Sequence, residues 1–171
     1  MSKCYWITGL SATGKTSLSN LLANHLRLSG RKVILFDGDE LRKVFAHQAY
    51  TREERIEIGM QYSRLCQLVV SQDVDVIIAV IGLFKEMHEW NRNNIPGYVE
   101  VFIDTPLDEL ERRDPKGLYK RFRSGEIENI AGIDLSVDFP TNPDISLKWI
   151  DGQSIELMFQ ELIEKLGEIR K

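Results

Sequence analysis

Short, mostly apolar runs alternate along the chain with longer segments in which apolar residues recur every three or four positions. The apolar runs fit buried strands, and the third is nearly continuous in β-branched residues, as in a strand covered by helices on both faces. These runs predict five strands, at Cys4–Thr8, Lys32–Phe36, Val74–Ile81, Tyr98–Asp104 and Asp144–Leu147. The helical pattern predicts helices near residues 16–28, 51–72, 84–94, 106–112 and 153–169.

The alternation of strands and helices predicts an α/β fold in which a parallel five-stranded sheet is flanked by helices. In such a sheet, ligands bind at the carboxyl ends of the strands. The chain has 171 residues, which suits one domain, and no repeat, low-complexity stretch or linker divides it. We therefore expect a single domain over residues 1–171.

A glycine-rich segment joins the first predicted strand to the first predicted helix. Its sequence, Gly9-Leu10-Ser11-Ala12-Thr13-Gly14-Lys15-Thr16, fits the pattern G-x-x-x-x-G-K-[ST]. The glycines allow successive backbone N–H groups to point at one anion, and the start of the helix adds its dipole. The strand before it and the helix after it make a chance glycine turn the weaker interpretation. The segment predicts a P-loop NTPase fold that binds a nucleoside triphosphate.

Within this loop, two side chains have distinct predicted roles. Lys15 can reach the β- and γ-phosphates, and the Thr16 hydroxyl can bind Mg²⁺. The residues that we expect to surround the phosphates are Gly9, Ser11, Ala12, Thr13, Gly14, Lys15, Thr16 and Ser17.

Two carboxylates follow the second predicted strand, at the sheet edge where the glycine loop also lies. They belong to the sequence Asp37-Gly38-Asp39. Phosphoryl transfer requires positioning, a metal ion and an oriented hydroxyl rather than covalent chemistry by the protein. Aspartate and glycine are common in turns, so the pattern is informative only because of its place after this strand. We assign Asp39 to the acceptor hydroxyl and Asp37 to the water shell of Mg²⁺.

A basic segment departs from the pattern of strands and helices. It is rich in glycine and charge, and its cations are Arg112, Arg113, Lys116, Lys120, Arg121 and Arg123. In P-loop kinases, such a segment closes over the transferring phosphoryl group, excludes water and supplies cations. We predict a lid at about residues 113–139, mobile because it offers few apolar anchors. The alternative is a solvated surface helix and loop.

Composition and charge narrow the class of protein. Acidic residues outnumber basic ones by 26 to 22, and the formal net charge of −4 argues against a nucleic-acid-binding protein. Cys4 and Cys66 lack metal-type spacing and are expected to be buried free thiols. No apolar run approaches the ~18 residues of a membrane span, and the early glycine loop leaves no room for a signal peptide. We expect a cytoplasmic protein that binds neither nucleic acid nor a membrane.

Three stretches together resemble the adenylylsulfate kinase family. They are the glycine loop at 9–16, Asp-Gly-Asp at 37–39 and Arg-Asp-Pro-Lys-Gly-Leu-Tyr-Lys at 113–120. The similarity extends from Ile7 to about Leu147 and is most specific in the third stretch. The resemblance implies an α/β kinase that uses MgATP to phosphorylate the ribose 3′-hydroxyl of adenylylsulfate, often as a homodimer.

Carried over by position, the resemblance implies further site residues. Arg42 and Arg55 match arginines that bind the acceptor nucleotide, and Tyr50 stands where a phenylalanine stacks on the acceptor base. Lys116 would contact the acceptor, and Arg113 would lie near ATP. Without the resemblance, each of these charges would be interpreted as a surface charge, and Tyr50 as a partly buried core residue.

Three departures from the family lie on the acceptor side, and none lies on the ATP side. Ile58 replaces an acceptor-binding asparagine, and the arginine pair that follows in the family is absent. Ile81 and Gly82 stand where the family has Ile-Ser, and Ile130 replaces a phenylalanine that forms the other wall around the acceptor base. An apolar residue in place of the asparagine leaves buried polar atoms of the usual acceptor without a partner, which costs about 1–3 kcal/mol.

These departures leave three hypotheses for the function. The family default is a kinase for adenylylsulfate. The second is a kinase for cytidine diphosphoramidate, because such kinases of bacterial capsule pathways are similar to this chain around Arg55–Ile58 and Phe84–Arg92. The third is a non-catalytic nucleotide-binding regulator, which the presence of Lys15, Asp37 and Asp39 disfavours. We take adenylylsulfate as the expected acceptor.

Overall fold

The computed structural model describes residues 1–46 and 48–169. Its strands are β1 (Cys4–Thr8), β2 (Val33–Asp37), β3 (Asp75–Val80), β4 (Tyr98–Asp104) and β5 (Ile145–Lys148). Its helices are α1 (Lys15–Leu28), α2 (Gly38–Phe45), α3 (Arg52–Val70), α4 (Lys85–Asn94), α5 (Leu107–Arg113), α6 (Leu118–Arg123) and α7 (Ile155–Ile169). None of these helices is both long and apolar enough to cross a lipid bilayer.

The five strands form one parallel sheet in the order β2-β3-β1-β4-β5. The central strand, β1, pairs with β3 on one side and with β4 on the other. The predicted parallel five-stranded α/β fold is confirmed, and every strand begins and ends within one residue of its predicted bounds. Strands β2 and β3 lie on one side of β1, and β4 and β5 lie on the other. The crevice beyond the carboxyl end of β1 is therefore a topological switch point, where ligands bind.

Helices cover both faces of the sheet. On one face, α1 and α7 pack over Tyr5 and Ile7 of β1, forming the α1/α7 core. On the other face, α3 and α4 pack over Trp6, forming the α3/α4 core. Successive residues of β1 therefore point into different cores, as the pleat of a strand requires. Cys4 and Cys66 lie in the α3/α4 core as buried free thiols, as predicted.

Two short helices, α2 and α6, are absent from the sequence prediction. The first begins at Gly38, directly after β2, and the Asp37 carboxylate caps it by accepting the N–H of Asp39 at 2.9 Å. Glycine avoids tight contacts here, because a Cβ would lie 3.1 Å from Val80 Cγ1 and 3.2 Å from the carbonyl oxygen of Ala79. The Asp-Gly-Asp sequence is therefore a helix start, which places both carboxylates on rigid backbone.

The basic segment at residues 113–139 is more firmly anchored than the sequence predicts. Its buried residues, which join the α3/α4 core, are Tyr119, Ile130, Ala131 and Leu135. Near its end, the N–H of Asp138 donates to the Leu83 carbonyl at 2.8 Å, and its carboxylate accepts the N–H of Lys85 at 3.1 Å. The expectation of few apolar anchors is wrong, because the irregular spacing of these residues hides them from a periodicity argument.

Candidate active site

The glycine loop lies beyond the carboxyl end of β1 and leads into the first turn of α1. Gly14 precedes that turn in the left-handed region, with φ of 94°. At Gly9, a Cβ would lie 2.8 Å from the carbonyl oxygen of Ile103 in the neighbouring strand β4. Thr13 is buried, and its hydroxyl donates to the Leu10 carbonyl at 3.1 Å. Side chain and backbone together hold the loop in a path that its glycines make accessible.

Lys15 is the first residue of α1, and its side chain folds back over the loop. Its Nζ donates to the Leu10 carbonyl at 2.6 Å. Burial, together with the charge of Lys116, lowers the pKa of Lys15 to about 7, although the charges of Asp39 and Asp37 act to raise it. The surroundings of Lys15 stabilise its ammonium group poorly, so a bound anion would stabilise it further. The position therefore suits a polyphosphate.

Thr16 and Asp37 meet where the first turn of α1 approaches the end of β2. The Thr16 hydroxyl donates to Asp37 Oδ2 at 2.7 Å, and Thr16 is exposed. A hydroxyl and a carboxylate are hard oxygen ligands that fit Mg²⁺, which otherwise keeps several waters and takes oxygens from substrate phosphates. Among residues 1–46 and 48–169, no group of three or more His, Cys, Asp or Glu side chains could hold a metal.

Asp39 lies in the first turn of α2 and is held by two cations. It forms ion pairs with Arg42 of the same helix and with Lys116 of the basic segment. Partial burial raises the pKa of Asp39, but the hydrogen bonds and charges of Lys116 and Arg42 outweigh burial and keep the pKa below its usual value. The carboxylate is therefore ionised at neutral pH and can accept a hydrogen bond from a hydroxyl.

Arg55 connects α3 to the basic segment. Its Nη2 donates to the Asn129 carbonyl at 2.7 Å, and the Asp134 carboxylate accepts the N–H groups of Asn129 and Ile130 at 2.7 and 2.6 Å. Burial lowers the pKa of Arg55, and the charge of Arg42 acts in the same direction. Helices α2 and α3 and the basic segment therefore surround the side of the site on which Arg42 and Arg55 lie.

The remaining predicted acceptor residues are placed differently from one another. Ile81 and Gly82 follow β3, where the Ile81 carbonyl accepts the Thr8 hydroxyl and the Gly82 carbonyl accepts a hydrogen bond from His88 Nε2 at 2.7 Å. They lie at the same sheet edge as the glycine loop. Tyr50 is 57% exposed; its N–H donates to Glu54 Oε2 at 2.8 Å and its hydroxyl to Gln48 Oε1 at 2.6 Å. Its contact with an acceptor base stays a prediction.

A cavity of about 390 Å³ adjoins the glycine loop. Its walls include Thr13, Gly14, Ser17, Arg113, Trp149 and Gln153. Arg113 Nη1 donates to the Ala12 carbonyl at 3.4 Å, and the Tyr119 hydroxyl donates to the Ser11 carbonyl at 3.0 Å. Arg42 and Arg55 do not line this cavity.

Sequence reasoning missed two parts of the donor side. The segment after β5 is the first: the Trp149 N–H donates to the Asp104 carbonyl at 2.8 Å, and residues 151–155 line the cavity. Its position after a strand was the available indication. The second is Glu109, whose pKa the hydrogen bonds of Arg112 and Arg113 lower to about 2. Glu109 thereby orients Arg113 at the cavity wall.

The amino-acid sequence of this chain is similar to those of known kinases. The family model for adenylylsulphate kinase matches residues 1–148. A cytidine diphosphoramidate kinase from Campylobacter jejuni is 34% identical over 162 residues, covering 95% of each chain. An adenylyl-sulfate kinase from a Picosynechococcus strain is 36% identical over 165 residues, covering 96% of this chain and 93% of that one.

The fold of this chain is also similar to that of a solved APS kinase. The APS kinase CysC of Mycobacterium tuberculosis, in complex with AMPPNP and APS, superposes with a TM-score of 0.88 at 35% sequence identity. The alignment covers 97% of this chain and 98% of that one. The two folds therefore correspond over nearly their whole lengths.

Proposed function

The chain belongs to the adenylylsulphate kinase family, and we propose that it transfers the γ-phosphoryl group of ATP to the ribose 3′-hydroxyl of an activated nucleotide. Members of this family are phosphotransferases with hydroxyl acceptors, and this chain is one of them. The observation that carries the proposal is the cluster of Lys15, Asp37, Asp39 and Lys116, whose charges act on one another at one edge of the sheet.

On the donor side, the glycine loop binds the phosphates of ATP through its N–H groups. The residues proposed for this contact are Gly9, Ser11, Ala12, Thr13, Gly14, Lys15, Thr16 and Ser17. Lys15 supplies a cation to the β- and γ-phosphates, and the base occupies the cavity next to Arg113. Thr16, and Asp37 through water, would hold Mg²⁺, which would supply positive charge beside the phosphates.

On the acceptor side, Asp39 orients the 3′-hydroxyl and accepts its proton as the oxygen attacks the γ-phosphorus in line with the leaving ADP. Arg42 and Lys116, which pair with Asp39, are placed to stabilise the charge that develops there. The residues proposed to surround the acceptor are Asp39, Arg42, Tyr50, Arg55, Ile81, Gly82, Lys116 and Ile130.

We propose adenylylsulfate as the acceptor, because the family model and most of the site residues agree on it. Cytidine diphosphoramidate is the second candidate, and two observations favour it. Ile58 packs against the α3/α4 core and offers no hydrogen bond, and Ile130 is only 6% exposed, so it presents little surface to a base. A relative that is 34% identical also has that activity in its name.

The test is to supply the purified protein with MgATP and either nucleotide, and to compare kcat/KM. A higher value for adenylylsulfate is expected, and a higher value for cytidine diphosphoramidate would reverse the choice of acceptor. The double variant Ile58→Asn, Ile130→Phe is the matched comparison. By restoring an aromatic wall next to the base, it should improve binding of adenylylsulfate by roughly ten- to hundredfold, as for one base–aromatic contact. Phosphorylation of neither nucleotide would refute the proposed function.

The proposal also covers domain organisation, oligomeric state and location in the cell. We propose one kinase domain over residues 1–171 with a lid at about 113–139, and a homodimer, which light scattering of the purified protein tests. A cytoplasmic location fits the free thiols of Cys4 and Cys66 and the supply of MgATP, and cell fractionation tests it.

A further inference from the structure

Trp149 lies in the segment that leads from β5 to α7, and it differs from the other two tryptophans of the chain. Trp6 and Trp90 both pack in the α3/α4 core. Trp149 is half-buried, but among residues 1–46 and 48–169 it packs in neither the α3/α4 core nor the α1/α7 core. It forms instead part of the wall of the cavity of about 390 Å³ beside the glycine loop. An aromatic side chain on a cavity wall, outside both cores, is typical of a residue that a ligand covers.

The backbone of Trp149 is fixed at the edge of the sheet. Its N–H donates to the Asp104 carbonyl at 2.8 Å, which extends the pairing of β4 with β5 by one residue. Alternate residues of a strand share a face, and Leu147, two residues earlier, packs in the α1/α7 core. Trp149 is therefore on the side of the sheet that α1 and α7 cover. The cavity lies on the same side, because Ser17 of α1 and Met158 of α7 also line it.

Two oriented guanidinium groups share the cavity wall with Trp149. The Glu109 carboxylate accepts the Nε–H of Arg112 at 2.7 Å and the Nε–H of Arg113 at 2.6 Å. Both arginines line the cavity, as Glu109 does. Guanidinium planes and indole rings are the two kinds of surface on which aromatic bases stack in proteins. The cavity therefore combines stacking surfaces with a volume in the range of about 300–1,000 Å³ that small-molecule sites occupy.

We propose that the base of the donor nucleotide stacks on the indole ring of Trp149. The inference rests on the proposed function and deepens it by naming the residue that binds the base. Thr13 and Gly14 of the glycine loop also line the cavity, so a nucleotide whose phosphates lie on that loop can place its base there. Every base has a π-face, so stacking on Trp149 provides affinity without a choice among bases. Asp151 and Gln153, which line the same cavity, provide the polar groups that such a choice requires.

Trp149→Leu is the test, because it removes the indole face, keeps an apolar side chain and leaves the backbone hydrogen bond to Asp104 available. Calorimetry measures the binding of AMPPNP and, separately, of inorganic tripolyphosphate, each with Mg²⁺. The affinity for AMPPNP should fall by about 10- to 100-fold, as for the loss of one base–aromatic contact. The affinity for tripolyphosphate should not change, because this ligand has the phosphates but no base. Trp149→Phe keeps an aromatic face and should recover most of the lost affinity.

Trp90→Leu is the matched control. It removes an indole that packs against the α3/α4 core, so it should lower Tm and leave both affinities at their wild-type values. AMPPNP should also change the tryptophan fluorescence of the wild-type protein and of Trp90→Leu. That change should be lost in Trp149→Leu, because Trp6 is fully buried in the α3/α4 core.

Three outcomes would overturn the inference, and none of them requires an acceptor. The first is a wild-type affinity of Trp149→Leu for AMPPNP. The second is an equal loss of affinity for AMPPNP and tripolyphosphate, because it would indicate a displaced glycine loop. The third is a wild-type protein that does not bind AMPPNP, in which case the proposed function fails as well. Because binding is measured directly, a failure to phosphorylate either candidate acceptor would leave this test decisive.

Discussion

Replacing Asp39 by asparagine tests whether this carboxylate orients and deprotonates the acceptor hydroxyl. The amide keeps the shape but cannot take up the proton, so kcat should fall by about 10²–10⁴-fold, or about 2.7–5.4 kcal/mol of activation free energy. The fold should tolerate the change, because the side chains of Asp39, Arg42 and Lys116 are 40%, 52% and 62% exposed. Two exposed ion pairs contribute at most about 1 kcal/mol each, so Tm should fall by no more than about 4–8 °C.

The assay follows ADP release with a coupled enzyme system, and calorimetry measures ATP binding separately. ATP affinity should be retained, because Asp39 lies outside the cavity and the glycine loop. Glu40→Gln is the control: it removes a carboxylate of the same helix that pairs with Lys43 at the surface, at 2.7 Å, and should keep the wild-type kcat. A wild-type kcat in Asp39→Asn would refute the assigned role. A loss of activity explained wholly by weaker ATP binding would refute it equally.

Three further predictions concern the donor side and the basic segment. Lys15→Met should abolish phosphorylation. The pKa of Lys15 is about 7 in the folded chain and 10.5 in the unfolded chain, so the unfolded chain binds more protons between these two pH values. The Tm of the wild-type protein should therefore rise relative to that of the variant as pH increases from 7 to 10.5. Glu109→Gln should raise the KM for ATP and leave the acceptor KM unchanged, because Arg113 loses its orienting carboxylate. The folded pKa of Glu109, about 2 against the ordinary 4.5, adds stability above pH 4.5 that is lost as pH falls toward 2, which acid unfolding of both proteins would show. Hydrogen exchange at residues 113–139 should slow when AMPPNP and the acceptor are added, and equally strong protection without them would contradict a lid.

The glycine loop and its place in the fold could be predicted because its parts are contiguous in sequence. The residues from Gly9 to Thr16 combine the loop, its lysine and its hydroxyl in one pattern that follows a strand. Asp37 and Asp39 could be placed beside them because parallel strands end at the same edge of the sheet. The contact between Thr16 and Asp37 at 2.7 Å is the structural consequence.

Other parts of the site depend on packing between segments that are distant in sequence. The cap that Asp37 makes on α2 is specified by one side chain and one N–H, and eight residues are too few for a periodic pattern. Residues 151–155 lie beside the glycine loop because they lead from β5 into α7, which packs with α1 in the α1/α7 core.

The proposed donor and acceptor halves of the site use different helices, but they share strand β1 and the basic segment. In the proposed donor half, α1 and the residues Tyr5 and Ile7 of β1 pack in the α1/α7 core. The side chains of Arg113 and Tyr119, from the basic segment, donate hydrogen bonds to carbonyls of the glycine loop. The acceptor half depends on side chains of α2, α3 and the basic segment, which pack in the α3/α4 core. Ile58 and Ile130 pack in the α3/α4 core together with Trp6 of β1 and Leu10 of the glycine loop, so the two halves share that core.

Asp39 is where the two halves meet. It receives Arg42 from the acceptor side and Lys116 from the basic segment, and its charge acts on Lys15 of the glycine loop. An altered acceptor is phosphorylated only if its hydroxyl still reaches this carboxylate, because proton transfer needs the two oxygens at hydrogen-bond distance. Changes at Ile58 or Ile130 that preserve this approach should therefore alter KM for the acceptor. Changes that displace the hydroxyl from Asp39 should lower kcat as well, and this difference separates selection of the nucleotide from catalysis.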